Sequence, residues 1–138
     1  MSKEFVYNKL ILEHHLDTFG HVNNATYLEL YEEARWDFLE QNGFGLRRIQ
    51  EQQQGPVILE LNLSFQKELI NREEISIVSH ISEIKKNGLI TVMNQKMIKS
   101  GQVLASELNV TFALMDLKKR KLMKPTDEWM AAIGISKD

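Results

Sequence analysis

The stretch NATYLELYEEARWDFLEQ, Asn24 to Gln41, and the later stretch VILELNLSF, Val57 to Phe65, decide the fold. In the first, Tyr27, Leu30, Tyr31, Ala34 and Phe38 recur at three- and four-residue intervals, which puts them on one stripe of a helix. Leu28 and Leu39 widen that stripe, while Trp36 lies nearly opposite it, so the helix is expected to be covered from more than one direction. Asn23 or Asn24 suits the N-cap, and Gly43 suits the stop just beyond the last turn. In the second stretch the period changes to two: Val57, Leu59, Leu61, Leu63 and Phe65 alternate with polar residues, as the two faces of a strand do.

Working outward, Phe5 to Glu13 reads as a first strand and Thr18 to Asn24 as a loop flexing at Gly20. The polar run Gln50 to Gln54 reads as a second loop. Glu74 to Ile84 and Leu89 to Lys99 flank Asn87-Gly88, a strong hairpin signal, and Ser100-Gly101 is a second tight turn. In the last long strand Leu104, Leu108, Val110, Phe112 and Leu114 are expected to face one way, with a short helix over Asp127 to Ile133 after Pro125. Tight hairpins force antiparallel pairing. The pattern is that of an α+β domain over residues 1–138: a strongly curved antiparallel sheet of about five strands wrapped around one long helix. A flatter sandwich with the helix on one face has the same periodicity.

Composition bounds the function. The 138 residues are 43% hydrophobic and 26% charged, which fits one globular domain rather than a disordered chain. There is no cysteine, which excludes a disulfide scaffold, a thiolate nucleophile and a thiolate-held zinc. A net charge of -2 speaks against a nucleic-acid partner. The run Lys118 to Lys121 reads first as a solvated loop and second as a contact for an anionic ligand. The N-terminal segment from Met1 to Phe5 has no signal-peptide pattern, and no apolar run is long enough to span a bilayer; a cytoplasmic protein is the expectation.

Chemistry concentrates in His14-His15-Leu16-Asp17-Thr18-Phe19-Gly20-His21-Val22-Asn23-Asn24-Ala25-Thr26-Tyr27, which carries a carboxylate and three imidazoles into the start of the helix. A helix N-terminus exposes unpaired N–H groups with partial positive charge, suited to a developing oxyanion. A carboxylate just before it can attack a carbonyl held there, or activate water against it. The competing reading is structural: Asp17 capping local N–H groups and Asn23-Asn24 acting as a plain N-cap.

Asp17-x-x-Gly20-His21-Val22-Asn23-Asn24-x-x-Tyr27, followed by Glu32-x-Ala34-Arg35, resembles the signature of hotdog-fold acyl-CoA thioesterases, and is similar to the 4-hydroxybenzoyl-CoA thioesterase family and the Tol-Pal-associated thioesterases. The resemblance implies hydrolysis of an acyl-CoA or acyl-carrier-protein thioester without a cofactor or metal. It makes Asp17 the catalytic carboxylate and puts the backbone N–H near Asn24 at the carbonyl oxygen, with His21, Val22, Asn23 and Tyr27 around the substrate. It further implies a homodimer joined sheet edge to sheet edge, often paired again as a dimer of dimers, with the pantetheine arm in a channel between subunits. One departure stands out: where many members carry an acidic residue two positions before the aspartate, this chain has His15.

Singly, these residues keep plainer readings. His21 orients Asp17 or simply holds the turn, and Tyr27 packs under the loop. His14 and His15, if in a strand, point to opposite faces. The spacing of His14, His15, Asp17 and His21 matches no metal motif. Glu32 is a secondary candidate carboxylate with Arg35 as its partner, and Glu33 an ion-pair residue. Lys67, Arg72, Lys85 and Lys86 are candidates for the coenzyme A phosphates; Phe19, Trp36, Met93 and Met97 are candidates to shape the acyl pocket. Two rival functions remain: a hotdog dehydratase using His21 with Glu60, and a non-catalytic acyl-thioester-binding module.

Overall fold

The computed structural model describes residues 2–136; Met1, which begins the N-terminal segment read above, and residues 137–138 lie outside the described residues. Strand β1 (Phe5–Leu10) leads through a short 3₁₀ turn (Glu13–His15) into helix α1 (Asn24–Gln41) and helix α2 (Leu46–Gln52). Four long strands follow, β2 (Gln54–Phe65), β3 (Glu74–Lys85), β4 (Ile90–Lys99) and β5 (Val103–Asp116), then the two-residue β6 (Lys121–Leu122) and helix α3 (Asp127–Ala132). The sheet order is β1-β3-β4-β5-β2, with β6 beside β5 and every pairing antiparallel.

α1 forms where its stripe and caps require. The Asn23 side chain accepts from the Ala25 N–H at 2.8 Å, and Gly43 takes φ +80° just past the last turn. Tyr27, Leu30, Tyr31, Ala34, Phe38 and Leu39 are buried against the sheet. The helix touches both edge strands: Phe38 stacks on Phe5 of β1 at 4.5 Å, and Tyr27 meets Phe65 of β2 edge-on at 4.9 Å. Two opposite edges can reach one helix only if the sheet curls around it, which excludes the flat sandwich.

Four expectations change. β1 stops at Leu10, not Glu13: Ile11 leaves the ladder, its N–H donating to the Glu73 carbonyl and its own carbonyl accepting from Arg72. The chain then coils, so His14 and His15 do not point to opposite faces; their ring centroids are 4.1 Å apart. The expected loop over Gln50 to Gln54 is divided between α2 and the start of β2, with Gln53 in the left-handed conformation (φ +57°) between them. Finally, bulges break the alternation. A register shift between Ile58 and Glu60 leaves Leu59 without a partner. Ile58, Leu61, Leu63 and Phe65 thereby share the helix-facing side with Phe112, Val110, Leu108 and Ser106, and Val57 turns away. A second shift pairs Met97 with Ser106 but Ile98 with Leu104, moving Leu104 to the face opposite Leu108.

The basic run sits at the β5–β6 turn, where Asp116 Oδ1 accepts the N–H groups of Lys118 and Lys119. No helix among the described residues is long and apolar enough to cross a membrane.

Candidate active site

The Asp17 loop is closed by its own backbone. Leu16 bridges Val22, the Asp17 N–H donates to the His21 carbonyl at 2.8 Å, and the Gly20 N–H returns to the Asp17 carbonyl at 3.1 Å. Gly20 has φ +81°, a conformation that L side chains resist. Inside this turn Asp17 Oδ1 accepts from the N–H groups of Phe19 (2.9 Å) and His21 (3.2 Å). Oδ2 takes no partner among the described residues and the side chain is exposed, so one carboxylate oxygen fixes the group's orientation while the other stays open to solvent.

Next along the chain, capping divides the first helical N–H groups unequally. Ala25 is capped by the Asn23 side chain, and Thr26 and Tyr27 donate to the Asn23 carbonyl at 2.9 and 3.3 Å. The Asn24 N–H donates to nothing among the described residues. Asn24 lines a shallow cavity of about 290 Å³ with Val22, Tyr27, Phe65, Gln66, Lys67 and Glu68. Within one chain Asp17 stands outside that lining. Buried Tyr27 packs beneath the cavity, its phenol pushed above its usual range chiefly by burial.

His21 contributes through its backbone rather than its ring. The imidazole pairs with Glu68, its Nε2 2.5 Å from Glu68 Oε2 on the cavity rim, both side chains more than half exposed. Nothing in the sequence points to Glu68, which is 47 positions from His21 and in no recognisable motif. Glu60 sits opposite Thr111 on the outer face of β2, away from His21. His15 ties the loop at both ends: its Nδ1 accepts from the Leu12 N–H at 2.9 Å, and its carbonyl receives the Asn23 N–H at 3.4 Å. Burial first, then the charges of His14 and Lys9, push the His15 imidazole below its usual range, which favours the neutral ring that the Leu12 contact needs.

The helix charges sort themselves out. Glu33 is held by Lys9 (2.8 Å) and by the Tyr7 hydroxyl (2.5 Å), and the Tyr7 phenol is pushed up to about 12 by burial and by that carboxylate. Arg35 does not close on Glu32; it turns inward and donates from Nη1 to Gln95 Oε1 at 2.8 Å. Of the candidate phosphate contacts, Lys67 lines the Asn24 cavity, Arg72 is committed to Glu13, and Lys85 lies 3.8 Å from Glu83. Phe19, beside Asp17, is 84% exposed.

Comparison with known proteins agrees with this architecture. The thioesterase-like superfamily model matches residues 12–133. The chain is 34% identical over 112 residues to the long-chain acyl-CoA thioesterase FadM of Escherichia coli, covering 80% of this chain and 82% of that protein. Among solved structures, the probable thioesterase YbaW of Escherichia coli is 26% identical, with a TM-score of 0.79 over 92% of this chain and 94% of its own. A Staphylococcus aureus protein crystallised with CoA shares the fold at 15% identity, with a TM-score of 0.86 over 96% of this chain and 83% of its own. A curled antiparallel sheet around one helix, and a family match that takes in the whole Asp17–Tyr27 segment, make this chain a member of the thioesterase-like superfamily, with the hotdog fold.

Proposed function

We propose that the chain hydrolyses acyl-CoA thioesters, or acyl-carrier-protein thioesters, to the acid and free thiol, with Asp17 supplying the carboxylate and the Asn24 N–H holding the carbonyl oxygen. The observation that carries this reading is the pairing of an unused N–H at the first position of α1 with a carboxylate tethered through one oxygen only. As the thioester carbon becomes tetrahedral, charge collects on its oxygen, where an unpaired helix N–H and the helix dipole favour it. Asp17 Oδ2 acts as nucleophile, giving a mixed anhydride that water cleaves, or as general base toward attacking water. The thiolate leaves and is protonated. Val22, Asn23, His21 and Tyr27 shape the substrate's surroundings, and Lys67 is the cation best placed for the coenzyme A end.

The exposed carboxylate outside the Asn24 cavity supports a site completed by a second subunit. β2 offers the edge for it: an outer strand with Ile58, Leu59, Leu61 and Phe65 each more than 40% exposed. The reading therefore takes residues 1–138 as one hotdog domain, working as a homodimer or a dimer of dimers in the cytoplasm, without metal or cofactor. The test is thiol release from a panel of acyl-CoAs. Asp17→Asn preserves the shape of the turn and should lose at least about 100-fold in kcat, with an unchanged circular dichroism spectrum. Near-normal turnover in that variant would overturn the assignment. Hydration of an enoyl-CoA would instead favour a dehydratase built on the His21–Glu68 pair, and tight acyl-CoA binding without thiol release would favour a binding module.

A further inference from the structure

The two halves of the proposed site meet at one side chain. Ahead of the Asp17 loop, Ile11 is fixed to the β2–β3 connection: its N–H donates to the Glu73 carbonyl at 2.9 Å, and its carbonyl accepts from the Arg72 N–H at 2.8 Å. Leu12 and His15 then close the short turn from both directions. The His15 N–H donates to the Leu12 carbonyl at 2.9 Å, and the Leu12 N–H donates to His15 Nδ1, also at 2.9 Å. Beyond the turn, His15 forms the base of a narrow antiparallel ribbon. Its carbonyl receives the Asn23 N–H at 3.4 Å, Leu16 bridges Val22, and the Asp17 N–H reaches the His21 carbonyl at 2.8 Å. Asp17 thus lies two residues up one arm of the ribbon. The other arm ends at Asn23, the N-cap that precedes the Asn24 N–H. A shift of His15 displaces the carboxylate and the helix start together.

The ring can hold this position in one protonation state only. Nδ1 accepts, so the neutral imidazole carries its proton on Nε2. In the imidazolium both nitrogens carry protons, and Nδ1–H would point at the Leu12 N–H, donor against donor. The residue is 6% exposed, so little water is at hand to replace the lost partner. The charged groups around the ring are Lys9 of β1, Glu29 and Glu33 of α1, and His14 beside it. Glu33 is already bound by Lys9 at 2.8 Å and by the Tyr7 hydroxyl. Burial first, then His14 and Lys9, resist the added proton more than the two glutamates favour it, which keeps the ring below its ordinary value of 6.5.

We propose that His15 is a positioning residue for hydrolysis: as the neutral ring it clasps the Asp17 carboxylate and the Asn24 N–H in one register, and on gaining a proton it releases both. The inference rests on the thioesterase reading and adds the group that sets its acid limit. Because the folded ring takes up its proton later than the unfolded one, the clasp is intact above pH 6.5 and is lost as pH falls through the ring's lower folded value. A misplacement of about 1 Å at a reacting group is worth about 100-fold in rate, so the loss should appear in kcat more than in KM.

His15→Asn is the conservative variant: its Oδ1 stands where Nδ1 does, accepts from the same N–H and does not titrate. His15→Leu offers no acceptor. Long-range proton–nitrogen NMR of the full chain, with the His15 signals identified by their absence from His15→Asn, gives the ring's tautomer and its midpoint. Nδ1 should be unprotonated at pH 8, and the backbone amides from Leu16 to Asn24 should shift with the ring's own midpoint. Against acyl-CoAs that wild type hydrolyses, His15→Leu should lose about 10- to 100-fold in kcat at pH 8, with KM changed by less than about threefold. His15→Asn should stay within about threefold of wild type there. On the acid side, wild-type kcat should decline at the midpoint that NMR gives for the ring, and that step should be missing from His15→Asn. If His15→Leu fails to fold, this comparison decides. A ring protonated at Nδ1 at pH 8, a wild-type acid limb in His15→Asn, or wild-type kcat in His15→Leu overturns the proposal. Loop amides that follow the ring's midpoint in a chain that hydrolyses no thioester would sink the thioesterase reading and uphold the clasp. Hydrolysis that is lost in Asp17→Asn but indifferent to His15 would do the reverse.

Discussion

Gln95→Leu tests whether the polar contacts beneath α1 hold the helix in place. Gln95 is completely buried in β4. Its Oε1 accepts from Arg35 Nη1 at 2.8 Å; its Nε2 donates to Ser79 Oγ at 2.9 Å and to the Tyr31 carbonyl at 3.3 Å. Leucine fills a similar volume and satisfies none of these. Stranding a partly buried guanidinium N–H costs about 2 kcal/mol and the two lost acceptor contacts about 1 kcal/mol each, while the apolar side chain recovers about 1 kcal/mol, for a net loss of about 3 kcal/mol. For a chain of this size that is a fall of about 10 °C in Tm. Gln95→Glu keeps an acceptor for Arg35 and adds an opposite charge beside it, so it should lose about half as much at pH 7. Urea unfolding at fixed protomer concentration measures both. A leucine variant within about 0.5 kcal/mol of wild type, or a glutamate variant less stable than leucine, would refute the account, since surface-like positions stay within that range.

Gly134→Ala should destabilise by about 3 kcal/mol in the same assay: φ is +89°, and an added Cβ would lie 2.9 Å from Phe5 Cε2, in a ring stacked on Phe38. Arg72, helped by Asn71, holds the Glu13 carboxyl down at about 2 against an ordinary 4.5. Because the folded value is the lower one, the unfolded chain takes up the proton first; the contribution is full above pH 4.5 and fades as pH falls toward 2. Wild type and Arg72→Gln should therefore converge in stability across that window, and a gap constant with pH would contradict it. Leu59→Arg places a cation at the exposed bulge of the edge strand β2 and should lower the sedimentation coefficient toward that of a single subunit; an unchanged assembly would show that another surface joins the copies.

The features legible in the sequence were those decided by neighbours. α1 announced itself because its stripe, N-cap and C-terminal glycine all lie within twenty residues, and β3 to β5 because hairpin turns leave one way to pair. α2 was missed because its only buried residue is Ile49, among arginines and glutamines that read as loop. The face of Val57 was misread because alternation assumes one residue per ladder step, and the bulge at Leu59 breaks that assumption. At the site, the unused Asn24 N–H follows from the geometry of any helix start. The partners of His21 and Arg35 do not: Glu68 and Gln95 lie 47 and 60 positions away, and only the curl of the sheet brings them close.

The bulge also marks where β2 can change length without changing faces. Removing Leu59 only closes the bulge, leaving Ile58 opposite Phe112 and Glu60 opposite Thr111, whereas removing a laddered residue such as Asn62 rotates every position upstream by half a turn of the pleat. In the Asn62 deletion Ile58 would leave the cavity that Trp36 and Trp129 line and Val57 would enter it; Gly55, whose missing Cβ would come within 2.7 Å of Ile49 Cγ2, would no longer present its bare side to α2. A single codon deletion within the ladder acts on a whole interface, while one at the bulge, or several substitutions along the same strand, act only locally. Length variation in this strand should therefore collect at the bulge and in the turns, and a chain that lost a laddered residue would have to rebuild α2 along with it.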